Sequence, residues 1–390
     1  MSENAYQAGA AESLVAFTLP HRVPNEDQYL IESMASGAIQ GDGPFTARAS
    51  ALLRPLVGGG LSLLTTSCTH ALEMAALLLD IGPGDEVVVP SFTFPSTVNA
   101  VVLRGATPVF VDVRLDTMNL DERLIEGAIT ERTRAILVVH YGGVACEMDE
   151  ISRIADRHGL VVVEDNAHGL GASYAGRPLG SLGALATQSF HATKNISCGE
   201  GGALIVNDER LLERAEVVRE KGTNRSQFRR GQVDKYRWVD VGSSWLISDV
   251  LAALLTAQLE SFDDVQRRRH EVWSTYEERL AGWAEDSGVL TPVVPPGRTH
   301  SAHLYSLLLP TEAERDRFIA HCSQRRIVTP FHYVPLHSSP AGLRFGRVHG
   351  SCQVSDDVSG RLVRLPLHAG LTDDEVERVV DSVLEFEVAR

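Results

Sequence analysis

The amino-acid sequence predicts an α/β fold with a mostly parallel sheet, followed by a smaller C-terminal α+β domain. Strand-like and helix-like segments alternate from about residue 61 to residue 220, which is typical of βαβ units. The alternation ends near residue 250, where charged helical segments and the Pro-rich stretch 291–297 begin. A chain of 390 residues is long enough for two domains. We therefore predict a large domain over residues 1–250 and a small domain over residues 251–390.

The individual elements follow from the spacing of the apolar residues. Short apolar runs bounded by turn residues predict strands at 61–65, 87–89, 109–111, 135–140, 160–164, 203–207 and 302–309. Apolar residues three and four positions apart predict helices at 69–80, 148–158, 211–220 and 249–260. A further helical stretch follows the strand at 87–89 and ends at about residue 104. Ligands bind beyond the carboxyl ends of parallel strands, so functional residues are expected in the loops after residues 65, 90, 140, 164 and 190.

Composition and charge exclude several classes of protein. Apolar residues make up 44% of the chain, but no apolar run approaches the roughly 18 residues of a membrane helix. A net charge of −15 disfavours binding to nucleic acid and to anionic membranes. Residues 1–20 lack the basic start of a signal peptide, and five scattered cysteines predict neither disulfides nor a metal site. These features predict a cytoplasmic protein.

Two loops offer groups that suit a phosphate and a flat ring. Residues 65–70 (Thr-Thr-Ser-Cys-Thr-His) join a predicted strand to a predicted helix. Their hydroxyl groups are typical of a helix N-cap, but free N–H groups at a helix start also bind phosphate. In the loop after residue 90, Phe92 and Phe94 either stack on a ligand ring or belong to the core, and for Phe92 we favour the core.

Charged and titratable residues mark the next two loops. Asp165 ends a very apolar strand, where it is either a functional carboxylate or a helix cap, and His168 is either a ligand contact or a structural hydrogen-bonding group. Lys194 is the only charged residue between Arg177 and Glu200. A lysine in such a low-charge stretch has a lowered pKa and can attack carbonyl groups as the neutral amine.

Pyridoxal phosphate (PLP) explains these features together. The cofactor needs an amine for a Schiff base, an anion that faces the pyridine nitrogen, and an anchor for its phosphate. The glycine-rich motifs of dinucleotide-binding and P-loop proteins do not occur in the chain.

Three separated stretches carry a resemblance to a known family: residues 67–81, 163–169 (Val-Glu-Asp-Asn-Ala-His-Gly) and 189–195 (Ser-Phe-His-Ala-Thr-Lys-Asn). On these residues the chain resembles the DegT/DnrJ/EryC1/StrS family of sugar aminotransferases, and the likeness extends from residue 36 to residue 367. It is greatest to the branch that makes dTDP-4-amino-4,6-dideoxyhexoses. The resemblance implies the type I fold of PLP-dependent enzymes, the fold of aspartate aminotransferase.

The resemblance also implies a role for each candidate residue. Lys194 would form the Schiff base and move the proton, and Asp165 would face the pyridine nitrogen. Phe94 would stack on the ring, and His168 would contact the ring hydroxyl. The residues expected at the phosphate are Cys68, Thr69 and Ser189.

Two positions differ from the residues found in particular relatives. Many relatives carry an Asn that reaches the phosphate from the other subunit, and here Ser244 takes its place while Leu246 replaces a nearby Arg. We expect a phosphate contact from Ser244, although its side chain is shorter. The related 3-dehydratases have histidine in place of the lysine, so Lys194 favours transamination.

The activity implied is transfer of an amino group from L-glutamate to C4 of a dTDP-4-keto-6-deoxyhexose, with pyridoxamine phosphate formed between two half-reactions. The family builds homodimers with shared active sites, so a homodimer is expected. The alternatives are an aminotransferase for another keto sugar or a cyclitol, and a non-catalytic PLP-binding regulator.

A basic segment at residues 219–237 is a candidate site for the nucleotide sugar. It holds seven basic and two acidic residues in an otherwise acidic chain, interleaved with glycines and aromatic residues. Such a segment is either a solvated loop or a clamp for a diphosphate. We expect Arg225 or Arg229 to contact the nucleotide sugar.

Overall fold

Short apolar runs form the strands of a computed structural model, which describes residues 13–389. The strands are β1 (Leu61–Thr65), β2 (Glu86–Pro90), β3 (Thr107–Val111), β4 (Thr133–Val139), β5 (Val161–Asp165), β6 (Ser173–Tyr174), β7 (Arg177–Pro178), β8 (Leu185–Ser189), β9 (Gly202–Val206), β10 (Arg298–Thr299), β11 (Tyr305–Leu308), β12 (Arg347–Val348) and β13 (Leu362–Leu365). Within the described part of the chain, eight of them form one sheet in the order β1-β9-β8-β5-β4-β2-β3-β12. Only β9 runs antiparallel to its neighbours in this sheet. The mostly parallel α/β fold is therefore confirmed.

Helices cover the sheet and build the C-terminal part of the molecule. They are α1 (Glu26–Ser36), α2 (Pro44–Leu56), α3 (Cys68–Leu78), α4 (Pro95–Val102), α5 (Glu122–Ala128), α6 (Met148–His158), α7 (Leu212–Arg219), α8 (Arg225–Arg229), α9 (Asp249–Glu260), α10 (Phe262–Ser287), α11 (Glu312–Gln324), α12 (Pro340–Phe345), α13 (Gln353–Arg361) and α14 (Asp373–Leu384). At the start of several helices a polar side chain accepts a hydrogen bond from a free backbone N–H group. Ser67 does so at α3 and Ser248 at α9. No helix within residues 13–389 is both long and apolar enough to cross a bilayer.

Most predicted elements agree with the structure to within a few residues. Strand β1 and helices α6 and α9 have the predicted bounds. The sequence did not predict strand β8, because Thr187 and Gln188 interrupt its apolar pattern. Both side chains are nevertheless buried. The central position of β8 in the sheet decides their burial, and hydrophobic spacing does not record that position.

The C-terminal part has an apolar core of its own. Strands β11 and β13 pair with each other and pack beneath α10, α11 and α14. Val15 joins this core and forms a bridge with Ile327, while β12 pairs with β3 of the large sheet. The division at residue 250 stays a prediction. The prediction of no signal peptide concerns residues 1–20, of which 1–12 lie outside the described residues.

Candidate active site

A cavity of about 460 Å³ opens where the parallel strands end. Its wall comes from the loops after β1, β2, β5 and β8, together with residues of the C-terminal part. The sequence-predicted site residues that line it are Cys68, Thr69, Phe94, Asp165, His168, Ser189 and Lys194. The predicted site residues that do not line it are Arg225, Arg229 and Ser244.

The start of helix α3 and the end of β8 meet on one side of the cavity. Gly202 on β9 pairs with Thr65 at the end of β1 and with Ser189 at the end of β8, which brings the two strand ends together. A Cβ on Gly202 would lie 2.3 Å from the backbone nitrogen of Cys68, so only glycine fits between them. Backbone N–H groups in the first turn of a helix lack intrahelical acceptors. This corner of the cavity can therefore accept an anion.

Asp165 is a buried carboxylate at the centre of the site. The hydroxyl of Thr97 donates to its Oδ2 at 2.8 Å, and the backbone N–H of Ala167 donates to its Oδ1 at 3.2 Å. Burial raises the pKa of Asp165 because the ionised form is desolvated. The carboxylate is thus suited to a cationic ligand group, which would compensate for that cost.

Buried hydrogen bonds of Glu164 support the strand end that carries Asp165. The neighbouring Glu164 is fully buried and accepts hydrogen bonds from the backbone N–H groups of Gly180, Leu182 and Gly183 at 2.7–2.9 Å. Its Oε2 lies 2.9 Å from His140 Nε2. These bonds tie the end of β5 to the loop before β8, which holds Asp165 in place.

Lys194 places its amine in the cavity without a partner. Within residues 13–389 its Nζ forms no hydrogen bond or ion pair, whereas its backbone N–H donates to the carbonyl of His191 at 2.9 Å. Burial lowers the pKa of Lys194 to about 8, although the nearby Cys68 and Asp165 raise it. The amine is therefore partly neutral at physiological pH and available as a nucleophile.

The two phenylalanines of the 91–97 loop have opposite environments. Phe92 is 1% exposed and packs against Tyr141 and Tyr333, so its assignment to the core is confirmed. Phe94 is 57% exposed and lines the cavity. The Phe94 ring is therefore available to a flat ligand.

His168 lines the cavity in a group of stacked histidines. Its ring stacks on His303 with centroids 4.1 Å apart, and its Nδ1 is buried without a hydrogen-bond partner. Burial lowers the pKa of His168, His303 and His332 well below the usual range. These rings are neutral near pH 7 and can exchange hydrogen bonds with a ligand.

Sequence reasoning missed several residues of the cavity wall. They come from outside the predicted loops and are His303, His332, Tyr333 and Arg364. The adjacent pair His332-Tyr333 was the one available signal, since two polar aromatics follow each other in a predicted domain with no other motif. Their approach to Lys194 depends on how the C-terminal part packs on the sheet.

The basic segment lies outside the cavity of its own chain. Arg225 pairs with Glu220 at 3.2 Å, and Arg229 pairs with Asp42 at 3.3 Å. Ser244 is exposed and forms a backbone bridge with Glu220. Within this chain, these residues therefore do not reach the Lys194 cavity.

Comparison with known proteins agrees with this geometry. The model of the DegT/DnrJ/EryC1/StrS aminotransferase family matches residues 20–384. The chain belongs to this family.

Relatives and solved structures cover almost the whole chain. The spore coat polysaccharide biosynthesis protein SpsC of Bacillus subtilis is 34% identical over 380 residues, which are 94% of this chain and 97% of SpsC. DesV of S. venezuelae, solved in complex with a ketimine intermediate, matches with a TM-score of 0.84 and 34% identity over 93% of this chain and 94% of DesV. Spr1654 of Streptococcus pneumoniae, solved in its PMP form, matches with a TM-score of 0.87 and 27% identity over 95% of this chain and 97% of its own.

The protein is a PLP-dependent aminotransferase with the type I fold, and its cofactor alternates between PLP and pyridoxamine phosphate. The cavity fits this cofactor. The cofactor is a pyridine ring that carries an aldehyde and a phosphate. The cavity offers a buried carboxylate for the ring nitrogen, an amine for the aldehyde and an exposed aromatic ring for stacking. The start of α3 can accept the phosphate. The residues that would hold the cofactor are Lys194, Asp165, Phe94, His168, Cys68, Thr69 and Ser189.

Proposed function

We propose that this enzyme transfers an amino group from L-glutamate to C4 of a dTDP-4-keto-6-deoxyhexose. The observation that carries the chemistry is that one cavity is lined by both Lys194, whose amine has no partner within residues 13–389, and the buried carboxylate of Asp165. The sugar class rests on the family and on the sequence likeness to the branch that makes 4-amino-4,6-dideoxy sugars. The polysaccharide-related name of SpsC agrees with a sugar substrate.

Each residue of the cavity has a task in this reaction. Bound PLP supplies an aldehyde that accepts the amine and a ring that takes up negative charge. Asp165 would keep a proton on the pyridine nitrogen, and Thr97 orients the carboxylate through its hydrogen bond. Lys194 would hold the cofactor between turnovers, and its amine, once free, would carry the proton that leaves the donor Cα.

Other residues bind and orient the cofactor. Phe94 would cover the ring and exclude water from it, and the unpartnered Nδ1 of His168 would form a hydrogen bond with the ring hydroxyl. The start of α3 and Ser189, which Gly202 brings together, would bind the phosphate. In the second half-reaction the same groups act on the keto sugar, so donor and acceptor use the cavity in turn.

The test compares acceptors with L-glutamate as the donor. We expect turnover with dTDP-4-keto-6-deoxyglucose and none with an inosose. Proton coupling constants of the product then decide whether the C4 amine is axial or equatorial. Turnover with the inosose alone would favour the cyclitol alternative, and loss of all turnover in a PLP-loaded protein would favour the regulator.

We also propose a homodimer in which the basic segment contacts the nucleotide sugar in the partner's site. Aromatic residues in and next to the segment are unusually exposed, with Tyr236 at 54% and the adjoining Trp238 at 80%, as suits a surface covered by another subunit. Ser244 lies on the same exposed stretch and would reach the partner's phosphate site. The cytoplasmic location stays a prediction.

Substitution of the segment's arginines tests this arrangement. Arg225→Ala or Arg229→Ala should raise KM for the sugar roughly ten- to a hundredfold, the ~1.5–3 kcal/mol of a charge-assisted hydrogen bond. The glutamate half-reaction should not change. Arg210→Ala, at an exposed arginine paired with Asp208, is the matched control. An active monomer in sedimentation experiments would contradict the shared site.

A further inference from the structure

His303 is a histidine of the cavity wall whose side chain is held by the residue that follows Lys194. Its Nδ1 lies 2.8 Å from Oδ1 of Asn195. Its ring stacks on His168 with centroids 4.1 Å apart, and its backbone carbonyl accepts a hydrogen bond from Arg269 at 2.7 Å. Its other ring nitrogen, Nε2, forms no hydrogen bond within residues 13–389 and is not fully buried. Nε2 is therefore open to the cavity that His303 lines.

The hydrogen bonds of Asn195 determine which nitrogen of His303 carries the proton. Nδ2 of Asn195 donates to the backbone carbonyl of Ser301 at 2.8 Å and to Oε1 of Gln266 at 3.0 Å. Because a carbonyl oxygen can only accept, the amide nitrogen of Asn195 must lie on that side and its oxygen must face His303. An amide oxygen also only accepts, so the proton of a neutral His303 ring lies on Nδ1 and Nε2 carries a lone pair.

The His303 ring is neutral near pH 7. Burial lowers its pKa well below the usual range, and the nearby charge of Lys194 acts in the same direction. A neutral imidazole with its proton on Nδ1 can only accept a hydrogen bond at Nε2. His332 allows no such assignment, because its Nδ1 bonds to the hydroxyl of Tyr141, which can either donate or accept.

The two reactants differ in what they offer to such an acceptor. Asn195 directly follows Lys194, so His303 lies near the atoms attached to the reacting carbon. In L-glutamate that carbon carries a carboxylate, which can only accept hydrogen bonds at neutral pH. In a keto sugar the carbon next to the ketone carries a hydroxyl group, which can donate. The lone pair of His303 therefore suits the sugar and not the amino acid.

We propose that Nε2 of His303 accepts a hydrogen bond from the hydroxyl group next to the ketone, which is the C3 hydroxyl of a 4-keto sugar. His303 thereby selects hydroxylated keto substrates over their deoxy analogues, because an analogue without the hydroxyl leaves the buried lone pair unpaired. Asn195 is the positioning residue that fixes the proton on Nδ1. This inference rests on the proposed transfer to a keto sugar.

The test uses the pyridoxamine form of the enzyme with dTDP-4-keto-6-deoxyglucose and with its 3-deoxy analogue. His303→Asn keeps an amide that can donate to Asn195 but has no group in the place of Nε2. It should lower kcat/KM roughly ten- to a hundredfold for the hydroxylated sugar and leave it nearly unchanged for the 3-deoxy analogue. His303→Gln places an amide oxygen near the position of Nε2 and should restore part of the loss. The half-reaction with L-glutamate should not change in either variant.

Nitrogen NMR tests the position of the proton without any turnover. In wild-type enzyme with isotope-labelled histidine, His303 should give a pyrrole-type signal for Nδ1 and a pyridine-type signal for Nε2. Both signals are identified by their loss in His303→Gln. The matched control is His300→Asn on the same segment, whose ring packs on Trp273 and does not line the Lys194 cavity. This control should leave the kinetics unchanged.

Several results would overturn the proposal. An equal loss with the hydroxylated and the deoxy sugar would make His303 a structural residue, and an equal loss with L-glutamate would assign it to the amine. A pyridine-type signal for Nδ1 would refute the direction of the hydrogen bond.

Failure of the proposed sugar would be distinguishable from failure of this inference. If the wild-type enzyme accepts an inosose but no dTDP-keto sugar, the proposed sugar alone is wrong. The inosose and its analogue deoxygenated next to the ketone would then apply the same test to His303. A wild-type enzyme that accepts no hydroxyketone would refute both proposals.

Discussion

Capture of the cofactor by Lys194 should depend on pH in a way that an ordinary lysine would not show. Burial lowers the pKa of Lys194 to about 8. At pH 7 about a tenth of the amine is then neutral, compared with about 0.03% for a lysine at the usual pKa of 10.5, a difference of about 300-fold. Because only the neutral amine attacks the aldehyde, the rate should rise about tenfold from pH 7 to pH 9 and then level off.

Stopped-flow absorbance of apoenzyme mixed with PLP measures this rate. The reaction of N-acetyl-lysine with PLP in the same buffers serves as control, because it should keep rising beyond pH 10. The neighbours of Lys194 predict two shifts. Asp165→Asn should move the midpoint to lower pH, since its anion raises the pKa, and Arg364→Gln should move it to higher pH, since that cation lowers it.

Two outcomes would refute the reasoning. A rate that climbs without a plateau to pH 10 would show that Lys194 is not desolvated. A midpoint that rises in Asp165→Asn would show that the carboxylate does not act on the amine through its charge.

The remaining predictions concern the cofactor contacts and their support. Lys194→Ala should abolish turnover and leave the circular dichroism spectrum unchanged, and borohydride should fix the cofactor on Lys194 in the wild type, as peptide mapping would show. Asp165→Asn should retain cofactor, because the hydroxyl of Thr97 can reverse its hydrogen bond towards an amide, but kcat should fall by several orders of magnitude, because a neutral amide cannot keep the pyridine nitrogen protonated; near-normal rates would remove Asp165 from the mechanism. Glu164→Gln should cost about 3–5 kcal/mol of stability, since an amide leaves buried N–H groups unpaired; an unchanged melting temperature would contradict this. Gly202→Ala should weaken cofactor binding, measured by equilibrium dialysis, because its Cβ meets the backbone of Cys68 at 2.3 Å; unchanged affinity would show that α3 can shift.

Local patterns in the sequence account for much of the molecule. The alternation of apolar runs and amphipathic segments predicted the parallel sheet, because each strand and helix records its own burial in its own residues. The low-charge stretch around Lys194 and the strand-end position of Asp165 are also local signals, and both residues lie in the one cavity. Their roles rest on the resemblance to the family and await the experiments above.

Other features depend on contacts between residues far apart in the chain. Phe92 and Phe94 are two positions apart with the same side chain, yet the first is in the core and the second is in the cavity. Thr97 reaches Asp165 across 68 positions, and Arg364 joins Lys194 only because the C-terminal part packs against the sheet edge. A sequence records which side chains can be buried or charged, but which of them meet is decided by packing. Only the tertiary structure therefore revealed that Arg364, which forms no ion pair within residues 13–389, lines the same cavity as Lys194.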